Sequence, residues 1–105
     1  MKKVIFKNGT KAFFDDGSTT KELILITSKF AEIDELSNEF TKDNYNGGTL
    51  EEKTIENLIP LRIVAETNQN RIIARFISRE KTRDEILQEK IDELDEMLAK
   101  LKGKA

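Results

Sequence analysis

The 105-residue chain contains no cysteine and no histidine. Without cysteine, neither a disulfide nor a thiolate metal site can staple the fold. Without histidine and cysteine, the commonest general base and the strongest nucleophile are both missing. No serine sits in a nucleophile-elbow context, and a helix surface accounts for the abundant carboxylates. An enzyme is therefore not expected, and neither a cofactor, a metal nor a small-molecule substrate is implied. Long hydrophobic runs are absent too: nothing approaches the ~20 apolar residues of a membrane span. The opening Met1–Lys7 holds only Val4, Ile5 and Phe6 between its lysines, too short for a signal-peptide core. The chain is expected in the cytoplasm when synthesised.

An excess of one charge is also lacking. Eighteen basic and twenty acidic residues leave a net charge of −2, and the mixing of signs argues against a dominant nucleic-acid footprint. Asp15-Asp16-Gly17-Ser18 lacks the repeated oxygen ligands and distal glutamate of an EF-hand and reads as a turn. Asn44 to Gly48 is glycine-rich, yet it follows a helix and carries no Lys-Ser/Thr, unlike a phosphate-binding loop.

What is present divides the chain into a β-rich head over residues 1–78 and a terminal amphipathic helix over 79–105. In the head, Asn8-Gly9 suits a two-residue type I′ turn and predicts a hairpin over 2–14. Lys21 to Thr27 is a strand whose unbroken Leu23-Ile24-Leu25-Ile26 run predicts burial on both faces. Phe30, Ile33, Leu36 and Phe40 fall at helical spacing, predicting a helix over 29–41 with Ser28 as N-cap. Asn44 to Gly48 then forms a loop, and Thr49 to Ile55 reads as an edge strand. Leu58 to Ala65 is a strand with Pro60 at its start or at a bulge. A turn at Thr67–Asn70 would set Glu66 opposite Arg71, and Arg71 to Ser78 is the last strand. The expected core is Val4, Phe6, Phe13, Leu23, Leu25, Phe30, Ile33, Leu36, Phe40, Leu61, Ile63, Ile72, Ala74 and Phe76. The fold class is α+β: a mostly antiparallel sheet of five or six strands, one packed helix, and a long C-terminal helix of coiled-coil type.

The terminal helix carries the strongest functional signal. Leu87, Ile91, Leu94, Leu98 and Leu101 recur at spacings of 4, 3, 4 and 3, the rhythm of a coiled-coil seam. Lys90 at a g position and Asp95 at the following e would pair across a parallel interface. Thr82-Arg83-Asp84-Glu85 matches a capping box. The expected function is homo-oligomerisation through Leu87, Ile91, Leu94, Leu98 and Leu101, with the heads presented to another structural protein. Two alternatives stand beside it. In one, the chain is a monomeric binding or regulatory adaptor whose terminal helix folds back over its own sheet, a reading that Ile86 and Met97 favour by widening the stripe. In the other, it is a nucleic-acid-binding accessory using Arg71, Arg75 and Arg79, disfavoured by the adjacent acidic block and the lack of an aromatic platform. Attraction between the basic and acidic blocks of neighbouring copies is a further reading.

The order of elements also carries a resemblance. Phe30-Ala31-Glu32-Ile33-Asp34-Glu35-Leu36 and Phe40-Thr41-Lys42-Asp43-Asn44 sit in a short β head. Strands follow, then Arg79-Glu80-Lys81-Thr82 switches into a Leu/Glu/Lys helix. This arrangement is similar to small proteins encoded among the tail and baseplate genes of siphophages and prophages of Gram-positive bacteria. The resemblance implies a structural or accessory role in a virion or its assembly, with symmetric copies, first made in the bacterial cytoplasm and then placed in the virion. It transfers no functional residues.

Overall fold

The computed structural model describes residues 1–103, apart from the side chains at 17 and 18. The fold is α+β and antiparallel throughout, with eight strands in two four-stranded sheets instead of one sheet of five or six. In the first sheet, β1 (Lys2–Ile5) lies between β2 (Lys11–Phe14) and β5 (Thr49–Leu50), with β6 (Lys53–Thr54) at the edge. In the second, β4 (Glu22–Thr27) and β8 (Arg71–Glu80) are central, flanked by β3 (Asp16–Thr19) and β7 (Leu58–Asn68). The helices are α1 (Phe30–Glu39), the single turn α2 (Lys42–Tyr45) and α3 (Arg83–Gly103).

One core draws on every part of the head. Val4, Phe6, Ala12 and Phe14 enter it from the first sheet or its loop, and Leu23, Leu25, Ile72, Ala74 and Phe76 from the second. Ile33, Phe40 and Tyr45 close it from the helical segment. Phe76 meets both Phe14 and Phe40 edge-on at centroid distances of 5.2 and 5.3 Å, and Phe40 meets Tyr45 at 4.9 Å. Such edge-to-face pairs contribute beyond their area burial. Burial raises the Tyr45 phenol far above its ordinary pKa, and its hydroxyl donates to the Thr20 carbonyl at 2.6 Å. Gly48 lets the backbone close tightly, since a Cβ there would stand 2.4 Å from the Ile5 carbonyl oxygen.

Several expectations are corrected. The first hairpin turns through Phe6–Thr10, not through a two-residue loop. Only Gly9 has positive φ, at 92°, and the Asn8 side chain accepts from the Thr10 amide instead. The register becomes Val4↔Ala12, where a turn at Asn8-Gly9 would give Val4 opposite Phe13. A one-residue slip reverses a strand's faces, so Phe14 is buried and Phe13 is 52% exposed. Phe30 opens α1 at the surface, and Leu61 is the extra residue of the bulge between Pro60 and Arg62, so both are exposed. Asp16-Gly17-Ser18 lies in β3, not in a turn. Ser28 is not the N-cap; Lys29 holds that place, and the Thr27 hydroxyl accepts from its amide. Asn44-Tyr45 belongs to α2 and puts Tyr45 in the core. Thr49 to Ile55 is two short strands joined at Glu51-Glu52, both with positive φ. The turn between β7 and β8 is Gln69-Asn70 alone, so Glu66 faces Ile73 and Arg71 faces Asn68. β4 is central as expected, but Ile26 is exposed and Ile24 half-buried, leaving its outer face open.

The terminal helix begins at Arg83, after β8 has run through Glu80; of the expected 79–105 helix, residues 104 and 105 lie outside the described residues. The radius of gyration is 16.8 Å, against about 13 Å for a compact domain of this length. The longest dimension is 64 Å and the others 25 and 23 Å. A strand like β8 is about 33 Å long and a helix like α3 about 31 Å. Neither alone spans the long dimension, so α3 extends the molecule beyond the head.

Candidate self-association surface on the terminal helix

The helix starts where the chain can satisfy its first amides. Thr82 and Glu85 form a reciprocal capping box: the Glu85 amide donates to Thr82 Oγ1 at 3.2 Å, and the Thr82 amide to Glu85 Oε1 at 3.0 Å. Asp84 and Glu85 occupy the positive end of the helix dipole, and Lys100 and Lys102 the negative end.

Lys42 of α2, Arg79 of β8 and Lys81 of the connecting segment then grip the first two turns. Arg79 donates to both oxygens of Glu85, at 2.6 and 3.0 Å. Glu89 accepts from Lys42 at 2.8 Å on one oxygen and from Lys81 at 2.9 Å on the other. The Lys81 side chain is nearly buried, and its backbone amide donates to the Asn57 carbonyl. A guanidinium hydrogen-bonded to Glu85, together with bonds from Thr82, brings the Glu85 carboxyl down to about 2. Hydrogen bonds from Lys42 and Lys81 hold Glu89 below its usual range; in return the bond to Glu89 raises Lys42, and the bond to Glu85 raises Arg79.

These contacts fix which way the ridge looks. At about 100° per residue, Leu87, Ile91, Leu94, Leu98 and Leu101 cluster within roughly 40° of one direction. Glu85 and Glu89 fall about 160° to either side of it. The head therefore holds α3 by its back, and the ridge faces away from the body. Leu87, Ile91, Leu94, Leu98 and Leu101 are 47–66% exposed, and Met97 joins them at 59%. No residue of α3 is buried, and every residue from Lys90 to Gly103 is exposed. In this structure the helix does not fold back over either sheet, as the adaptor alternative requires.

The basic block is split by the same geometry. Arg71, Arg75 and Arg79 share the outer face of β8 with Ile73 and Ile77, as alternation predicts. Arg79 is bound by Glu85, which removes one of the three cations from the proposed phosphate-binding row. Flanking strands add Ile24, Ile26, Val64 and Arg62 to this face but also Glu22 and Glu66. It is thus mixed in charge.

Of the residues that shape this site, the sequence reading had the ridge and the capping box but not the grip of Lys42, Lys81 and Glu89. No spacing rule signals it, because Lys42 lies 47 positions from its partner. A cleft of about 320 Å³ opens beside the grip, lined by Lys7, Lys42, Asp43, Lys81, Glu89 and Asp92 among others. Among the described residues, no group of three or more acidic side chains converges as a metal site, and no helix is long and apolar enough to cross a membrane. Compared with known proteins, the chain matches no protein-family model, no curated protein and no solved structure.

Proposed function

We propose that this is a non-enzymatic assembly protein. It self-associates in parallel through Leu87, Ile91, Leu94, Leu98 and Leu101 and presents its head to another structural protein. The observation that carries the reading is a leucine-rich ridge, about half exposed at every position, held facing away from its own head. Isolated helices of this kind are marginal in water, and burial against a sibling ridge supplies what the chain itself does not. The five side chains would contribute on the order of 7–15 kcal/mol gross, at about 1.5–3 each, offset in part by the entropy of association. Lys90 and Asp95 favour the parallel arrangement, since a g residue meets the following e residue of its neighbour. Bundled helices would place several heads together, so weak contacts with a partner add by avidity. The resemblance to tail and baseplate-region proteins supports a setting in phage or prophage virion assembly, with the chain made in the bacterial cytoplasm. Sedimentation equilibrium of the intact chain tests the association: a mass that is a multiple of 12.1 kDa and rises with concentration is expected. A single-chain mass at all concentrations up to about 1 mM would overturn the proposal.

A further inference from the structure

Among the described residues, and beyond the capping box, the polar contacts joining the side chains of α3 to the rest of the chain are ionic. Ile86 alone adds a half-buried apolar side chain, while Arg79 to Glu85 and Lys42 and Lys81 to Glu89 supply the directional bonds. All three pairs lie within the first two turns, on the face of the helix opposite the ridge. Beyond them run about 21 Å of helix in which every residue is exposed.

We infer that these three ion pairs form a latch that sets the angle and rotation of the tail relative to the head, and that the latch is opened by salt without unfolding either part. Lys42 reaches Glu89 from α2, Arg79 reaches Glu85 from β8, and Lys81 reaches Glu89 from the connection itself. Attachment from α2 and β8, with Lys81 itself tied to the head through its amide and the Asn57 carbonyl, defines a direction that the two-residue linker Lys81-Thr82 alone does not. The bidentate Arg79–Glu85 pair is the directional element, because a guanidinium fork fixes the plane of its carboxylate. The two lysines on Glu89 resist rotation about the helix axis. Two of the three pairs are partly exposed, with 34–49% of the Glu85, Glu89, Arg79 and Lys42 side chains accessible, so they are individually weak and weakened by salt, whereas Lys81 is only 9% exposed and its pair with Glu89 is screened less. A hydrophobic junction would hold its angle at any ionic strength; this one yields. The consequence for an assembly is that the heads are splayed at a set angle at low salt and released at high salt. The latch belongs to a single chain and holds whether or not the ridge finds a sibling.

The absence of native cysteine allows a clean distance measurement. Spin labels at Glu66→Cys in the head and Ala99→Cys in the tail would be read by pulsed electron spin resonance, in frozen samples diluted with excess unlabelled chain. The expected result is one narrow distance at low salt, broadening several-fold in the Arg79→Ala/Glu89→Ala variant and in the otherwise intact chain at 1 M NaCl, where the screening length is about 3 Å. Glu96→Ala removes a carboxylate from the same helix face beyond the reach of the head and should leave the distance unchanged. Far-UV circular dichroism should report unaltered helix content throughout. A distance that stays narrow in both the double variant and high salt would overturn the latch. So would equal broadening in Glu96→Ala, or loss of helix content in the double variant, since the pairs would then be holding the helix together and not its direction.

Discussion

Replacing Leu94 by aspartate separates assembly from folding. In the single chain Leu94 is 59% exposed and makes no core contact. Its loss should cost the monomer little more than the difference in helix propensity, about 0.5 kcal/mol. In a bundle the same side chain lies at a d layer against its own copy. Fully burying a leucine is worth about 1.5–3 kcal/mol, and a little over half of that is still to be gained at Leu94. Two copies in a dimer therefore lose about 2–4 kcal/mol, or roughly 30- to 1,000-fold in affinity at about 1.4 kcal/mol per tenfold. Two facing carboxylates add repulsion of the same sign. Multi-angle light scattering should report the single-chain mass for Leu94→Asp at concentrations where the parent is associated, while thermal unfolding of the head is unchanged. Loss of folding would mean that the ridge packs on its own head. An unchanged oligomeric mass would mean that the interface lies elsewhere.

Three other outcomes follow from the head and the latch. Gly48→Ala forces a Cβ to 2.4 Å from the Ile5 carbonyl and should destabilise the head by about 1–3 kcal/mol in urea unfolding. Tyr45→Phe keeps the ring but leaves the Thr20 carbonyl without its 2.6 Å hydrogen bond, at a cost of about 1–3 kcal/mol by the same assay. Glu85 and Glu89 both have folded pKa values below the ordinary carboxylate value of 4.5. Their stabilising contribution is therefore complete above that value and is lost as pH falls from it toward about 2, the folded value of Glu85. An acid titration followed by the nuclear resonances of the first two turns of α3 should show that region responding in this window.

Register decides how much of this fold was legible. A turn over Thr67–Asn70 is two residues too long, yet a slip of two preserves the faces. Ile72, Ala74 and Phe76 are accordingly buried and Arg71, Ile73 and Arg75 turned outward, as alternation predicts. In the first hairpin a turn at Asn8-Gly9 differs from the observed register by one, and that single step exchanges Phe13 for Phe14. Asn-Gly signals a type I′ turn only when nothing competes. Here the Asn8 backbone amide donates to the Asn44 side chain, and its own side chain reaches Glu39. Those tertiary contacts come from a helical segment more than thirty residues away, invisible to local turn chemistry. Tyr45 was lost for a related reason: a polar, glycine-ended stretch reads as loop, whereas one turn of helix swings the ring inward. The ridge and capping box of α3 were legible because both are periodic and local. Whether that ridge would lie on its own sheet was not, because the answer depends on Lys42 and Lys81 meeting Glu89.

Cysteine cross-linking tests the central claim most directly. With no native thiol in the chain, Leu94→Cys places the sulfur on the ridge and Glu96→Cys places it on the opposite face of α3. Under mild oxidation, a parallel in-register bundle predicts rapid, near-complete disulfide-linked dimer for Cys at position 94 and little for position 96. Equal, slow and concentration-limited cross-linking at the two positions would show that the ridge does not meet its counterpart on a sibling chain.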